Sequence, residues 1–256
     1  MEAHDSLAVA LDRIRVLLET AGVESPPFPP TLLYNEGWLL RLVLDWFYKN
    51  RVEGRCLAFG PGARWYSEAL LPSAFLARRR GDPLAEGWTN ADGVIGQFAI
   101  GSKRKRDLVV RADATQFVVV EAKMSSPLSS GVTRARYFDQ AARTVACMAE
   151  TMRRAGRQPG EMERLAFCVL APEAQIRAGV FARQMNPASI LTKVERRVRG
   201  YEGAKDGWFE EWFRPAWERI TMNTLGWEEV VAKIEEQDAR AGRAIGRFYD
   251  LCREFN

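Results

Sequence analysis

A chain of 256 residues, 47% hydrophobic and 27% charged, carries enough apolar material for one large core. Its formal net charge of +4 permits a polyanionic partner without requiring one. A single histidine, His4, and four scattered cysteines with no Cys-x-x-Cys pair argue against a Cys/His zinc centre and leave histidine-based catalysis only what the N-terminus could supply.

Residues 5–21 have helical spacing, with Leu7, Leu11, Ile14 and Leu18 on one stripe, Asp5 or Ser6 as cap and Gly22 as stop. The run Ser25-Pro-Pro-Phe-Pro-Pro30 cannot be helical and marks a linker. A second helix is expected over 31–50. Glu36 falls within its apolar stripe of Leu32, Leu39, Val43 and Trp46. Glu36 is a candidate functional carboxylate; alternatively Asn35 caps the helix and Glu36 only complements its dipole. Residues 51–64 read as a glycine-rich loop without the Lys-Ser/Thr of a phosphate loop. Trp65 to Leu71 suits a strand or a short helix and contains a further acidic candidate, Glu68. The cluster Arg78-Arg79-Arg80 reads as a solvated surface.

A strand is expected over Gly93 to Ile100; Asp92 before it is an alternative acidic candidate, ranked below Asp107 because its neighbour Gly93 suggests a turn. Gly101-Ser-Lys-Arg-Lys-Arg106 is a basic turn whose Lys103, Arg104, Lys105 and Arg106 suit contact with a phosphate backbone. Two apolar runs follow, Leu108–Val110 and Phe117–Val120, separated by the turn residues Ala112 to Thr115. Phe117, Val119, Glu121 and Lys123 share one face by strand alternation. Asp107 begins the partner strand of this hairpin, so Asp107, Glu121 and Lys123 are expected to converge at one edge of an apolar sheet. Charges there need a partner or a metal.

Asp107 followed fourteen positions later by Glu121-Ala122-Lys123 resembles the PD-(D/E)XK, or restriction-endonuclease-like, nuclease superfamily. Arg106 stands where that family often has Pro. The resemblance implies that Asp107, Glu121 and the Ala122 carbonyl hold Mg²⁺, for which Mn²⁺ would substitute, and that Lys123 positions the attacking water. A helix over 134–155 follows; the resemblance makes Gln140 an active-site residue, and Arg134, Arg136 and Arg143 are basic candidates for nucleic-acid contact. The buried strand Leu165–Leu170 completes the order helix, three strands, helix, strand, which is the family's α/β core.

Three regions are therefore expected: residues 1–30 as helix and linker, 31–172 as nuclease-like core, and 173–256 as a helical extension that offers a surface for a homodimer or an accessory protein. The expected helices of the extension cover 188–199, 208–221 and 227–254. The expected partner is double-stranded DNA and the expected activity Mg²⁺-dependent hydrolysis, in restriction, repair or phage defence. The alternative is an inactive nucleic-acid-binding or assembly module on the same fold. No apolar run reaches the roughly 18 residues of a membrane span, and no signal-peptide pattern is seen, so a cytoplasmic protein with reduced thiols is expected.

Overall fold

The computed structural model describes residues 2–22, 25–82, 84–101, 105–131 and 135–256, with side chains from residue 9 onward. Lys103, Arg104 and Arg134 lie outside the described residues. In chain order the elements are α1 (Glu2–Glu19), α2 (Glu36–Asn50), β1 (Arg64–Leu71), β2 (Thr89–Gly96), β3 (Phe98–Ile100), β4 (Leu108–Val110), β5 (Gln116–Ala122) and α3 (Gln140–Ala155). They continue with β6 (Arg164–Ala171), α4 (Glu173–Arg177), α5 (Pro187–Arg199), α6 (Asp206–Trp208), α7 (Arg214–Arg219), β7 (Thr221–Gly226), α8 (Trp227–Gln237) and α9 (Ala239–Phe255).

Five strands form one mixed sheet in the order β1-β2-β5-β6-β7. β1, β2 and β5 are antiparallel neighbours, whereas β5, β6 and β7 run parallel. The parallel step from β5 to β6 needs a crossover, and α3 supplies it. β5 is buried along its whole length because both faces of the sheet are covered, which is why its sequence is a continuous apolar run. Alternation divides it. Phe117 and Val119 join the core under α3 and α5, and Val118, Val120 and Ala122 join the core under α2, α8 and α9. Gly93 admits α2 on that second face: a Cβ there would lie 3.0 Å from both Leu40 and Leu44.

The structure departs from the sequence reading at several places, beginning with the helices expected over 31–50 and 134–155, which start only at Glu36 and Gln140. The strand expected over 93–100 breaks at Gln97, whose side-chain oxygen accepts the Thr115 and Gln116 amides, so only β2 enters the main sheet. β3 and β4 instead make a separate two-stranded sheet inserted between β2 and β5. The region after residue 172 is not purely helical, because β7 pairs with β6 over Thr221–Gly226. The expected helix 227–254 is two helices, divided where Asp238 accepts hydrogen bonds from the Arg240 and Ala241 amides and caps α9. The aromatic residues near 208–217 pack inward, with Phe209 and Phe213 buried. Among the described residues, no helix is long and apolar enough to cross a membrane.

The expectation of four reduced thiols is also corrected. Cys56, in the turn before β1, forms a disulfide with Cys168 of β6, while Cys147 and Cys252 are free and buried. Chain alternation aims Cys168 at the α2 face, where Cys56 lies in the same apolar cluster. Denatured protein kept from reductant should titrate two thiols out of the four cysteines in the sequence, rising to four after reduction. Four thiols before reduction would dismiss the pairing.

Candidate active site

The β2–β5 ladder runs from Gly96↔Phe117 to Gly93↔Val120. One step further, the register sets Asp92 opposite Glu121. Directly opposed residues of an antiparallel pair share a face, here the face that α3 covers. At this point the backbone ladder gives way to a side chain: the Asp92 Oδ2 accepts the Ala122 amide at 2.9 Å. The ladder end thus fixes the Asp92 carboxylate beside the strand that carries Glu121.

Glu121 is fully buried. Gln140, the first residue of α3, donates its Nε2 to Glu121 Oε2 at 2.7 Å, and Thr144, one turn on, donates its hydroxyl to Oε1 at 3.4 Å. The Gln140 amide has only one consistent orientation. Its Oε1 accepts the Ser129 amide at 3.0 Å, which leaves the NH₂ group facing the carboxylate. The Gln140 backbone amide returns a hydrogen bond to the Ser129 carbonyl at 2.9 Å, so the loop after β5 is stapled to the start of α3. Asp139 caps that helix by accepting the Ala142 amide.

Burial, above all, and the adjacent Asp92 carboxylate push the Glu121 pKa well above its ordinary value of 4.5, with Lys123 and the Thr144 hydroxyl opposing. Lys123 is two residues beyond Glu121 on the same strand face. Its backbone is held on both sides, the amide donating to Leu170 O at 2.8 Å and the carbonyl accepting the Trp227 indole at 2.9 Å. The Ala122 amide points toward Asp92, and its carbonyl leaves the strand on that same side.

Two facing carboxylates and a carbonyl make a hard-oxygen donor set. That suits Mg²⁺, which takes one or two carboxylates and completes its shell with water or phosphate oxygens. Among the described residues no three His, Cys, Asp or Glu side chains gather in a metal-holding group. Glu68 stands across β1 from Asp92 in the register of that strand pair, at a positive φ of 58°, and lies 3.7 Å from the Arg41 guanidinium. Glu36 opens α2 behind its cap Asn35, as the dipole alternative requires, and its charge is felt by Cys252 of α9.

Asp107 does not take the place expected of it. Its strand neighbour is Leu70, through a single parallel bridge, and β4 pairs with β3 instead of β5. The Asp107 side lines a small cavity with Trp88, Thr151 and Arg154. Thr144, at Glu121, and Thr151, at Asp107, are seven residues apart on α3, about 10 Å along the helix axis. Asp92, ranked lower from sequence because Gly93 suggested a turn, is the carboxylate that faces Glu121. The basic candidates also separate. Lys105 and Arg106 are exposed near the β3–β4 insertion, and Arg136 is exposed in the lining of the cleft that Gln140 also lines. Arg143 is half-buried, and its charge acts on Glu86 and Cys147 under α3. Ser129 and Thr144 were not among the sequence's site candidates, although helical spacing sets Thr144 on the face of Gln140, one turn on.

Lys123 and Gln140 are among the residues that line a cleft of about 1120 Å³ between the loop after β5 and the segment 180–196. Arg136, Arg183, Lys193 and Arg196 line it, and Lys193 is paired with Asp139 at 2.7 Å.

Because folded Glu121 holds its proton more tightly than the unfolded chain does, stability falls as pH rises above 4.5 and the unfolded carboxylate ionises first. Glu121→Gln should remove that loss, so its melting temperature should exceed wild type at neutral pH and converge with it near pH 4. Mn²⁺ should raise the wild-type melting temperature and leave the variant's unchanged. A variant that melts below wild type at neutral pH, or gains equally from Mn²⁺, would dismiss the strained carboxylate pair. Compared with protein-family models, curated proteins and solved structures, the chain has no match.

Proposed function

We propose that this chain is a metal-dependent nuclease of the PD-(D/E)XK type, with Asp92 in the role that the sequence alone gave to Asp107. The observation that carries the reading is the register: Asp92 and Glu121 face one another at the end of the β2–β5 ladder, with Lys123 two residues on and a basic cleft alongside. The element order supports it. Helix α2, the antiparallel set β1, β2 and β5, the crossover helix α3 and the parallel strand β6 make the order expected of that core, with β3 and β4 as an insertion.

Phosphodiester hydrolysis needs an activated water and stabilisation of the charge that develops on phosphate and leaving oxygen. A bound Mg²⁺ supplies Lewis acidity and a lowered water pKa. Asp92, Glu121 and the Ala122 carbonyl would hold it. Lys123 carries a positive charge at the mouth of the site, where it orients a water and offsets phosphate charge. Gln140 keeps the Glu121 carboxylate in one orientation, and the Ser129 amide keeps Gln140 in its own.

The test is cleavage of plasmid, linear and single-stranded substrates with Mg²⁺ or Mn²⁺. Asp92→Asn, Glu121→Gln and Lys123→Ala should each lose roughly 100-fold or more in rate, while Asp107→Asn stays within a few-fold of wild type. Activity that survives in Asp92→Asn and vanishes in Asp107→Asn would relocate the centre. Wild type that cuts none of these substrates would favour a binding module instead.

A further inference from the structure

The cleft beside Lys123 has basic side chains on both walls. Arg136 and Tyr137 project from the loop that leads into α3, whereas Arg183, Lys193 and Arg196 project from the segment after β6. Lys193 is largely neutralised by Asp139, which leaves Arg136, Arg183 and Arg196 to set the field along the cleft, whose lining also includes Lys123. The Arg196 guanidinium lies 3.9 Å from the Tyr137 ring centroid and stays exposed, a planar cation stacked on an aromatic face. Cations along a groove with a planar stacking surface are the means by which proteins hold unpaired nucleotides.

The exposed Arg196–Tyr137 stack separates one strand from two: a base can stack on it only when it is unpaired, whereas a duplex keeps its bases inside and offers these cations its phosphates alone. The two sides of the cleft meet at this stack, at Lys193–Asp139 and at Gln184–Leu128, so a phosphate chain would lie along the cations over these contacts.

We infer that this cleft binds a single nucleic-acid strand, with Arg183 and Arg196 holding phosphates and the Arg196–Tyr137 stack receiving a base, so that the strand leads its phosphodiester to Lys123. The inference rests on the nuclease reading for the direction of the strand, and binding is measurable without cleavage. Fluorescence anisotropy in EDTA would compare a labelled oligonucleotide of about 12 nucleotides, as DNA and as RNA, with the matching duplex. The single strand should bind at least about tenfold more tightly than the duplex at equal salt. The double variant Arg183→Ala/Arg196→Ala should weaken strand binding about tenfold. It should also flatten the slope of log K against log salt by about 1.4, two contacts at about 0.7 each. Arg247→Ala, on the exposed side of α9, serves as the control that leaves binding unchanged. Duplex bound as tightly as strand, or a double variant of unchanged melting temperature that binds strand as wild type does, would overturn the inference. Wild type that binds strands yet never cuts them would overturn the nuclease reading alone.

Discussion

The end of the β2–β5 ladder is the constraint on which the candidate site depends. An antiparallel pair that continued past Gly93 and Val120 would spend its backbone groups on one more rung. Here the rung is replaced by the Asp92 carboxylate accepting the Ala122 amide. That substitution brings two anionic groups onto one buried face of a sheet whose other residues there are Phe117 and Val119. Burying a carboxylate beside another is unfavourable without a proton or a cation between them, and the upward shift of Glu121 expresses that strain. Such a pair destabilises the fold unless a proton or an opposite charge offsets it.

α3 makes the arrangement tolerable. Its first residue, Gln140, and its second-turn Thr144 both donate to Glu121, and the helix spans the sheet so that the same side covers the apolar core below. Because Gln140 is also bonded twice to Ser129, the loop after β5 and the helix start move as one unit. Gly131 within that loop has no room for a side chain, since a Cβ would lie 2.0 Å from the Ala135 carbonyl oxygen. The loop conformation, the helix start and the orientation of the Glu121 carboxylate are therefore determined together.

Much of this was legible in the sequence, and the part that was not has a definite cause. The Phe117–Val120 run and the shared face of Glu121 and Lys123 follow from periodicity, which is local; the helix expected over 31–50 begins at Glu36 behind the alternative cap Asn35, and Gln140 was pointed to by the family resemblance alone. The choice between Asp107 and Asp92 is a matter of which strand pairs with β5, and that is not local. β3 and β4 look like sheet strands because they are short, apolar and separated by turn residues, and nothing in their sequence says that they pair only with each other. Gly93 suggested a turn, whereas its role is to admit Leu40 and Leu44 of α2 against the strand. β7 was missed because Thr221 to Gly226 has little hydrophobic alternation; it forms as the outer partner of β6, and tertiary pairing overrides its weak propensity.

The same non-local logic puts contacts across the boundary expected near residue 172. Lys193 of α5 reaches Asp139 at 2.7 Å, with side-chain exposures of only 11% and 10%. Asp139 is at once the cap of α3 and the partner of that lysine. An ion pair so sheltered contributes little over an apolar contact, but removing one partner leaves a charge stranded, so the two segments are bound to each other's placement. Gln184 adds a bond from its amide to the Leu128 carbonyl at 3.0 Å, on the other side of the cleft. The segment after β6 therefore holds the start of α3, which holds Gln140, which holds Glu121. Residues far along the chain become part of the positioning of a carboxylate at the end of β5, and the cleft wall they build is the same structure that fixes its geometry.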